Sequence, residues 1–346
     1  MATSINPKHK KYENKGRTGL ANLGNTCFMN SVLQCLSHTY EFNEFLNTKS
    51  YQTKLRKKED SLVLMEWDKL RIMMWSENCV ISPGGFLDGV QKVAKIKNQD
   101  LFTGFAQNDF SEFLVFVMEC FHNSIRREVE MTVKGDVLTT TDELAAKCYN
   151  MVKTMYKKEY SEIFELFYGV HVSKVVSASG GYTNSVPEPF FLLTLQVPVK
   201  AKTLTQCLDE YTAIETLDGE NMLEVNSDGK KEICKRQILF WSFPKVLVIL
   251  LKRFGNNLKK TRDCIDFPLE NLDLSKYVIG YDKKSYVYDL YGICNHSGGA
   301  LGGHYWAYVK NANNKWYNFN DTQVTEIAPK NLITDKAYCL FYRKKY

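Results

Sequence analysis

The hydrophobic pattern of this chain changes near its middle. In the first half, apolar residues recur every three or four positions, as they do on one face of a helix. From Phe190 onwards they come instead in short runs rich in β-branched and aromatic residues, which is typical of strands. The sequence has no fixed-period repeat and no regular alternation of strands with helices. A block of helices followed by mostly antiparallel strands predicts the α+β fold class, with a site between the two halves.

The pattern predicts individual elements as well. Helices are expected over residues 26–46, 61–75, 83–94, 109–125 and 142–160. Strands are expected over residues 190–197, 238–243, 246–251, 287–294, 305–309, 316–319 and 337–342. Polar or glycine-rich breaks predict a linker at 126–141 and loops at 177–184, 218–231, 255–263 and 297–303.

The composition is that of a soluble globular protein. The 346 residues are 44% hydrophobic and 24% charged. The longest apolar run, residues 246–251, is far shorter than the roughly 20 residues of a membrane-spanning helix. The ten cysteines occur singly, with no CxxC pair, which favours reduced thiols and a cytoplasmic and/or nuclear location.

The formal net charge of +6 lies partly in residues 1–17, where five basic residues predict a flexible arm. A nucleic-acid interface requires a basic face interleaved with exposed aromatic residues, and the sequence offers neither that face nor a known nucleic-acid-binding motif. We therefore expect no nucleic-acid partner and no membrane partner.

The first candidate for chemistry is a thiol. Cys27 lies in the run GNTCFMN, residues 24–30, where a predicted helix begins. The positive end of a helix lowers the pKa of a thiol, and glycine and asparagine allow the tight backbone turns of an active-site loop. A single cysteine is more commonly a buried, inert core residue, so this run alone leaves both interpretations open.

The second candidate is an imidazole. His304 lies in the run GGHYWAY, residues 302–308, where glycines lead into an alternating aromatic strand. The next predicted strand, followed by Asn320 and Asp321, is close enough in sequence to form a hairpin with the His304 strand. Either polar residue could then orient the imidazole, as the third member of a thiol-protease triad does.

Four motifs together resemble the ubiquitin-specific proteases. Residues 19–31, GLANLGNTCFMNS, resemble the cysteine box of that family, and residues 302–321 resemble its histidine box. Between them, residues 107–113 resemble the start of its ubiquitin-contacting helix, and residues 250–254, LLKRF, resemble the strand before its first blocking loop. The motifs occur in the family's order and cover residues 19–343.

The resemblance implies a papain-like fold with a helical thumb, a β-rich palm and β-stranded fingers at roughly residues 165–250. It implies one catalytic domain over residues 18–346 after the arm. The implied catalytic residues are Cys27 as nucleophile, His304 as general base and acid, Asn320 as the group that orients the imidazole, and Asn22 as an oxyanion donor. Asp321 is a further candidate for contact with the imidazole or the oxyanion network. Implied substrate-binding residues are Gln107, Asp109, Gly303 and Tyr305.

Two of these assignments have structural alternatives. Asp109 could simply cap the helix that follows it, because aspartate is favoured at that position. Asn22 could be an ordinary turn asparagine. Loops 255–263 and 297–303 are expected to border the channel for the ubiquitin tail and to move when ubiquitin binds.

The chain departs from the family at the zinc site of the fingers. Many members hold zinc there with two CxxC pairs, whereas alignment puts Ser177, Gly180, Val225 and Asp228 at those four positions. We therefore expect no metal, no cofactor and a mobile finger tip.

The implied function is thiol-dependent deubiquitination: hydrolysis of isopeptide or peptide bonds after the last glycine of ubiquitin, through a cysteine thioester. The expected partners are ubiquitin and ubiquitinated proteins, and a protein activator is a further possibility. Two alternatives are a non-catalytic ubiquitin-binding module with a relic site, and a protease for another ubiquitin-like modifier with a Gly-Gly end.

Overall fold

The structure is a computed structural model that describes residues 7–56, 58–225, 230–255, 259–299 and 302–345. The α-helices are α1 (Cys27–Ser37), α2 (Tyr40–Asn47), α3 (Asp60–Ser76), α4 (Gly84–Ile96), α5 (Phe110–Ile125), α6 (Thr140–Glu159), α7 (Glu162–Phe167) and α8 (Leu204–Tyr211). The first eight strands are β1 (Gly19–Leu20), β2 (Val80–Ile81), β3 (Gly169–Ser177), β4 (Thr183–Phe190), β5 (Leu192–Gln196), β6 (Glu215–Leu217), β7 (Leu223–Glu224) and β8 (Lys231–Glu232). The others are β9 (Cys234–Ser242), β10 (Val246–Lys252), β11 (Leu272–Asp273), β12 (Val287–Gly299), β13 (Gly302–Lys310), β14 (Trp316–Asn320), β15 (Gln323–Ile327) and β16 (Ala337–Lys344).

Helices α1 to α5 form the thumb. Helix α1 lies at its centre with all eleven of its residues buried, and it packs against α5 on one side and against β12, β13 and β14 on the other. Helix α3 packs against α4 and α5 through Trp67, which is fully buried and stacks on Phe121 of α5. The central position of α1 holds Cys27, its first residue, at the boundary between the helices and the sheet.

The palm is an eight-stranded sheet in the order β15-β14-β13-β12-β16-β10-β5, with β11 paired to β12. Its pairs are antiparallel except β10 with β5, which is parallel. Strand β10 is apolar without interruption because both of its faces are covered. Val248 faces the thumb core, and its neighbours Leu247 and Ile249 face a second core on the outer side of the sheet. The palm is thus a central layer between two hydrophobic cores.

The fingers are a four-stranded antiparallel sheet in the order β4-β3-β9-β6. Near the positions expected for zinc ligands, serine hydroxyls make hydrogen bonds. The Ser177 hydroxyl accepts from the backbone N–H of Tyr182 at 3.1 Å, and the Ser179 hydroxyl donates to the Glu232 carboxylate at 2.8 Å. The described residues contain no group of three or more side chains arranged to hold a metal ion. The fourth aligned position, Asp228, lies outside the described residues.

The predicted helices are present with one difference. The span 26–46 is two helices, because the chain bends at Thr39, whose hydroxyl bonds Tyr291 of the palm at 2.7 Å. The Asn43 amide donates to the Ser37 carbonyl at 2.6 Å and satisfies it where the first helix ends. Interaction with the sheet therefore overrides a continuous helical pattern.

The glycine-rich segment 297–303, predicted to be a loop, is largely strand. Strand β12 extends to Gly299 and β13 begins at Gly302, so the described part of the segment is the end of a hairpin. At its narrowest point Gly298 has φ +125°, and a Cβ there would collide with Gly303 on the opposite strand. Glycine at both positions permits extended strands where a loop was expected.

In the described part of the chain, no helix combines the length and apolar character needed to cross a membrane.

Candidate active site

The loop before α1 is folded around one side chain. The Asn22 Oδ1 atom accepts hydrogen bonds from the backbone N–H groups of Gly24 at 3.2 Å and Thr26 at 3.0 Å. Gly24 and Asn25 both adopt positive φ, at +97° and +53°, which glycine and asparagine tolerate best. These contacts turn the chain sharply into the helix and present Cys27 at its first position.

Cys27 is almost fully buried, and its thiol is a neighbour of strand β13. The backbone N–H of Tyr305, the residue after His304, is close enough to the sulfur to influence its pKa. Burial raises the pKa of the Cys27 thiol above its usual value and outweighs the opposing effect of that N–H; the Asp321 carboxylate adds to the rise. The direction is opposite to the one expected from the helix end alone, so the resting group is a thiol whose ionisation requires a base beside it.

The candidate base is held by the adjacent strand. His304 lies on β13, and its Nε2 atom is 2.6 Å from the Oδ1 atom of Asn320 at the end of β14. With the amide oxygen as acceptor, Nε2 carries the proton and Nδ1 is left as the basic nitrogen. Of the two residues that the sequence left open as partner of the imidazole, the structure places Asn320 in hydrogen-bond contact with it.

Asp321 contacts the oxyanion side of the site instead. Its φ is +50°, and its carboxylate accepts from the Nδ2 atoms of Asn22 at 3.0 Å and Asn30 at 2.8 Å. The carboxylate thereby fixes the direction of the Asn22 amide, and one of the two N–H groups of that amide is left for a substrate oxygen. The alternative of an ordinary turn asparagine accounts for the Oδ1 bonds of Asn22 but not for this bond.

Sequence reasoning missed Asn30. It is a buried residue of α1, one helical turn after Cys27, and it also donates to the backbone carbonyls of Leu20 and Ala21 at 3.3 Å. A signal was available, because residues three apart share a helix face, which places a polar amide next to the position of Cys27. Asn30 joins the start of α1 to the end of β14 through Asp321.

Next to the start of β13, residues of the thumb and palm line a cavity of about 420 Å³. Gln107 bridges to the backbone of Gly303, with its Oε1 atom accepting from the Gly303 N–H at 3.0 Å and its Nε2 atom donating to the Gly303 carbonyl. All four predicted substrate-binding residues lie at this cavity: Gln107, Asp109 and Tyr305 line it, and Gly303 bonds Gln107 at its wall.

Asp109 has a structural task whether or not it also contacts a substrate. One carboxylate oxygen caps α5 by accepting from the backbone N–H groups of Ser111 at 2.7 Å and Glu112 at 3.3 Å. The other accepts from the hydroxyls of Tyr305 at 3.0 Å and Tyr338 at 2.7 Å. The Tyr305 ring is buried, so its hydroxyl is committed to Asp109 and forms part of the cavity wall.

Comparison with known proteins agrees with this geometry. Residues 18–342 match the family described as ubiquitin carboxyl-terminal hydrolase. The chain belongs to this family.

Its similar relatives include ubiquitin carboxyl-terminal hydrolase 2 of Homo sapiens, 34% identical over 95% of this chain and 55% of the relative, and that of Gallus gallus, 34% identical over 95% and 93%. The chain thus spans about half the length of the human relative. Among solved structures, the SAGA Ubp8/Sgf11/Sus1/Sgf73 DUB module bound to ubiquitin aldehyde matches with 25% identity and a TM-score of 0.74, covering 100% of this chain and 72% of the other. These matches show the papain-like α+β fold of the family.

The cavity has a second feature that the sequence did not predict. His296 on β12 is buried, and the Lys260 ammonium lies 2.8 Å from its Nδ1 atom and 2.7 Å from its carbonyl. Burial lowers the pKa of His296 to about 4, so the ring is neutral. Burial and the nearby Arg253 and Lys336 lower the pKa of Lys260 to about 8. The pair connects segment 259–263 to the hairpin that carries His304.

Proposed function

We propose that this chain is a thiol-dependent deubiquitinase that hydrolyses isopeptide or peptide bonds at the C-terminal glycine of ubiquitin through a thioester on Cys27. The observation that carries the proposal is that the buried Cys27 thiol lies beside the strand that bears His304. The His304 imidazole is hydrogen-bonded to Asn320 at 2.6 Å. Membership of the ubiquitin carboxyl-terminal hydrolase family supports the substrate class.

The reaction follows from the roles of the four groups. His304 takes the proton of the Cys27 thiol at Nδ1, and the thiolate attacks the carbonyl carbon of the terminal glycine. The resulting oxyanion accepts hydrogen bonds from the free N–H of Asn22 and from backbone N–H groups at the start of α1, which have no partner within the helix. His304 then returns its proton to the departing amine, and the C–N bond breaks to leave a thioester.

The second half of the reaction regenerates the thiol. With His304 as base, a water molecule attacks the thioester carbonyl and expels the Cys27 thiolate, which recovers a proton from the imidazolium. Asn320 is neutral, so the charge of the imidazolium is balanced mainly by the thiolate in the first step, while the amide oxygen holds the ring in position.

The cavity beside the site supports a glycine-rich acyl group. Gly298 and Gly303 form a close cross-strand pair, and a Cβ at Gly303 would collide with the His296 ring and the Ser297 carbonyl. A passage bordered in this way suits a tail without side chains, such as the Gly-Gly end of ubiquitin. Both carboxylate oxygens of Asp109 are bonded within the fold, and its negative charge attracts an arginine that precedes those glycines.

Hydrolysis of ubiquitin carrying a fluorogenic amide at its C-terminus tests the proposal, with Cys27→Ser as the inactive control. We expect the wild type to hydrolyse this substrate and Cys27→Ser not to. The wild type should hydrolyse other modifiers with a Gly-Gly end at least about a hundredfold more slowly, because a site built for specific polar contacts discriminates between substrates by that factor or more. Ubiquitin binding without turnover would favour a non-catalytic module, and faster turnover of another modifier would reassign the substrate.

Three further predictions remain proposals. The catalytic domain is expected over residues 18–346, which the family match at 18–342 supports. A cytoplasmic and/or nuclear location is supported by ten free thiols. A protein activator is suggested because Ubp8 was solved within a module that also contains Sgf11, Sus1 and Sgf73.

A further inference from the structure

One large aromatic side chain beside the candidate site takes no part in either core of the palm. Trp306 lies on β13 between Tyr305 and Ala307, which both face the thumb core. The Trp306 ring is half-buried, and in the described part of the chain it belongs to no buried hydrophobic cluster. An indole ring has a large apolar surface, and burying that surface in a core would stabilise the fold. Because Trp306 lies outside the cores, we looked for a role of this ring in binding.

Trp306 has ring contacts with His304 and with Tyr308, and Tyr308 also packs against the outer core of the palm. The Trp306 ring centroid is 6.0 Å from that of His304 with an interplanar angle of 20°, and 6.4 Å from that of Tyr308 with an angle of 65°. Since alternate residues of a strand share a face, His304, Trp306 and Tyr308 form an aromatic row that begins at the imidazole and runs along β13.

This row and the cavity for the acyl tail lie on opposite faces of β13. Tyr305 lines the cavity, and alternate residues of a strand point to opposite faces, so His304 and Trp306 share the face that points away from the cavity. A substrate whose glycine tail occupies the cavity and whose carbonyl lies at Cys27 has its amine at His304, which must protonate it. The rest of the leaving group then continues towards Trp306.

We propose that Trp306, with Tyr308 beside it, is a subsite for the acceptor: it binds the aliphatic stem of the lysine whose ε-nitrogen is released from an isopeptide bond. Four methylene groups pack on an indole face, and the ammonium formed on release is attracted by the same ring. The proposal rests on the proposed function, because it assigns the leaving-group side of the same reaction.

Two substrates that share ubiquitin but differ in the leaving group test it. The first is ubiquitin joined to the ε-nitrogen of lysine in a short peptide, and the second is ubiquitin extended by one glycine through a peptide bond, which has no stem. The variants are Trp306→Thr and Trp306→Phe, with Ile72→Thr as a matched loss of exposed apolar surface on α3, where Ile72 is 48% exposed.

For Trp306→Thr we expect kcat/KM on the lysine substrate to fall about tenfold, a usual effect of losing one aromatic contact to a cationic or aliphatic group. On the glycine extension it should change by less than about twofold, and Trp306→Phe should recover most of the loss. The pH profile on either substrate should not move, and Ile72→Thr should match the wild type.

Equal losses on both substrates, or a shifted pH profile, would show that Trp306 instead positions His304 and would overturn the subsite. No loss on the lysine substrate would overturn it as well. Failure of the proposed function gives a different result, because the wild type would then cleave neither substrate.

Discussion

Amides rather than carboxylates contact the groups that would carry the reaction. Asn320 bonds the imidazole, Asn22 provides the free donor for an oxyanion, and Asn30 reaches Asn22 through Asp321. A neutral donor stabilises the negative charge that develops on a substrate oxygen during the reaction. The one charge in this group, on Asp321, is spread over hydrogen bonds from two amides and orients them.

This arrangement gives a prediction for the oxyanion donor. Asn22→Ala should lower kcat by about 10²–10³-fold with little change in KM, because the lost bond forms only in the transition state. Asn30→Ala should lower kcat less, and the double variant should be no slower than Asn22→Ala, because Asn30 acts through the same amide. Steady-state kinetics on fluorogenic ubiquitin, with a thermal melt of each variant, decide this; a multiplicative loss would mean that Asn30 acts independently.

Lys260 provides a prediction about pH and stability. Its pKa in the fold, about 8, is below its ordinary value of 10.5, so between these values the unfolded chain binds more protons at this group than the folded chain does. The contribution of Lys260 to the free energy of unfolding therefore increases as the pH rises from 8 to 10. Urea titrations of wild type and Lys260→Met across this window should show the wild type gaining relative to the variant. A constant difference would contradict the lowered pKa.

At the scale of elements, helix α5 joins the thumb to the tail cavity through its first residue. Asp109→Asn keeps an oxygen to cap the helix but removes the charge, whereas Asp109→Ala removes both. We expect Asp109→Asn to melt close to the wild type yet raise KM for ubiquitin about tenfold or more, through the loss of a charged contact to arginine. Asp109→Ala should lose in addition roughly 1 kcal/mol of stability. An unchanged KM in Asp109→Asn would limit the residue to its structural contacts, which are the helix cap and the two tyrosine hydroxyls.

The sequence predicted the elements that have a clear local apolar pattern. Helices α3 to α6 and strands β10, β14 and β16 lie where that pattern places them, and β12 begins where it was predicted but extends further. Strand β4 was missed because it is an edge strand with Pro187 and Pro189 and an almost fully solvent-facing pattern, which resembles a loop. The bend at Thr39 was missed because it depends on a contact with Tyr291, 252 positions away.

The same distinction holds at the site. Cys27, His304 and Asn320 lie in local motifs and were predictable, although which of Asn320 and Asp321 bonds the imidazole depended on the backbone at the end of β14. The contacts of Asn30 with Asp321 and of Gln107 with Gly303 span 291 and 196 positions. Such contacts depend on the packing of thumb against palm, which no local pattern specifies.

For the molecule as a whole, the fingers differ most from the family pattern. Three of the four aligned zinc positions are Ser177, Gly180 and Val225, and the adjacent strands are joined by hydroxyl and backbone hydrogen bonds. We expect dialysis against EDTA to leave both the melting temperature and the ubiquitin hydrolysis rate unchanged, since the residues that the structure describes hold no metal-binding cluster that could contribute folding energy. A fall in the melting temperature that zinc reverses would show that a metal stabilises the fold.

The central claim is that Cys27 is the nucleophile toward the ubiquitin C-terminus, and covalent capture tests it most directly. Ubiquitin bearing a C-terminal electrophile is incubated with wild type and with Cys27→Ala, and the adducts are located by mass spectrometry of peptides. We predict one adduct, on Cys27, formed by the wild type and absent in the variant, even though the chain has ten cysteines. An adduct on another cysteine, or no adduct in a wild type that still binds ubiquitin, would contradict the account.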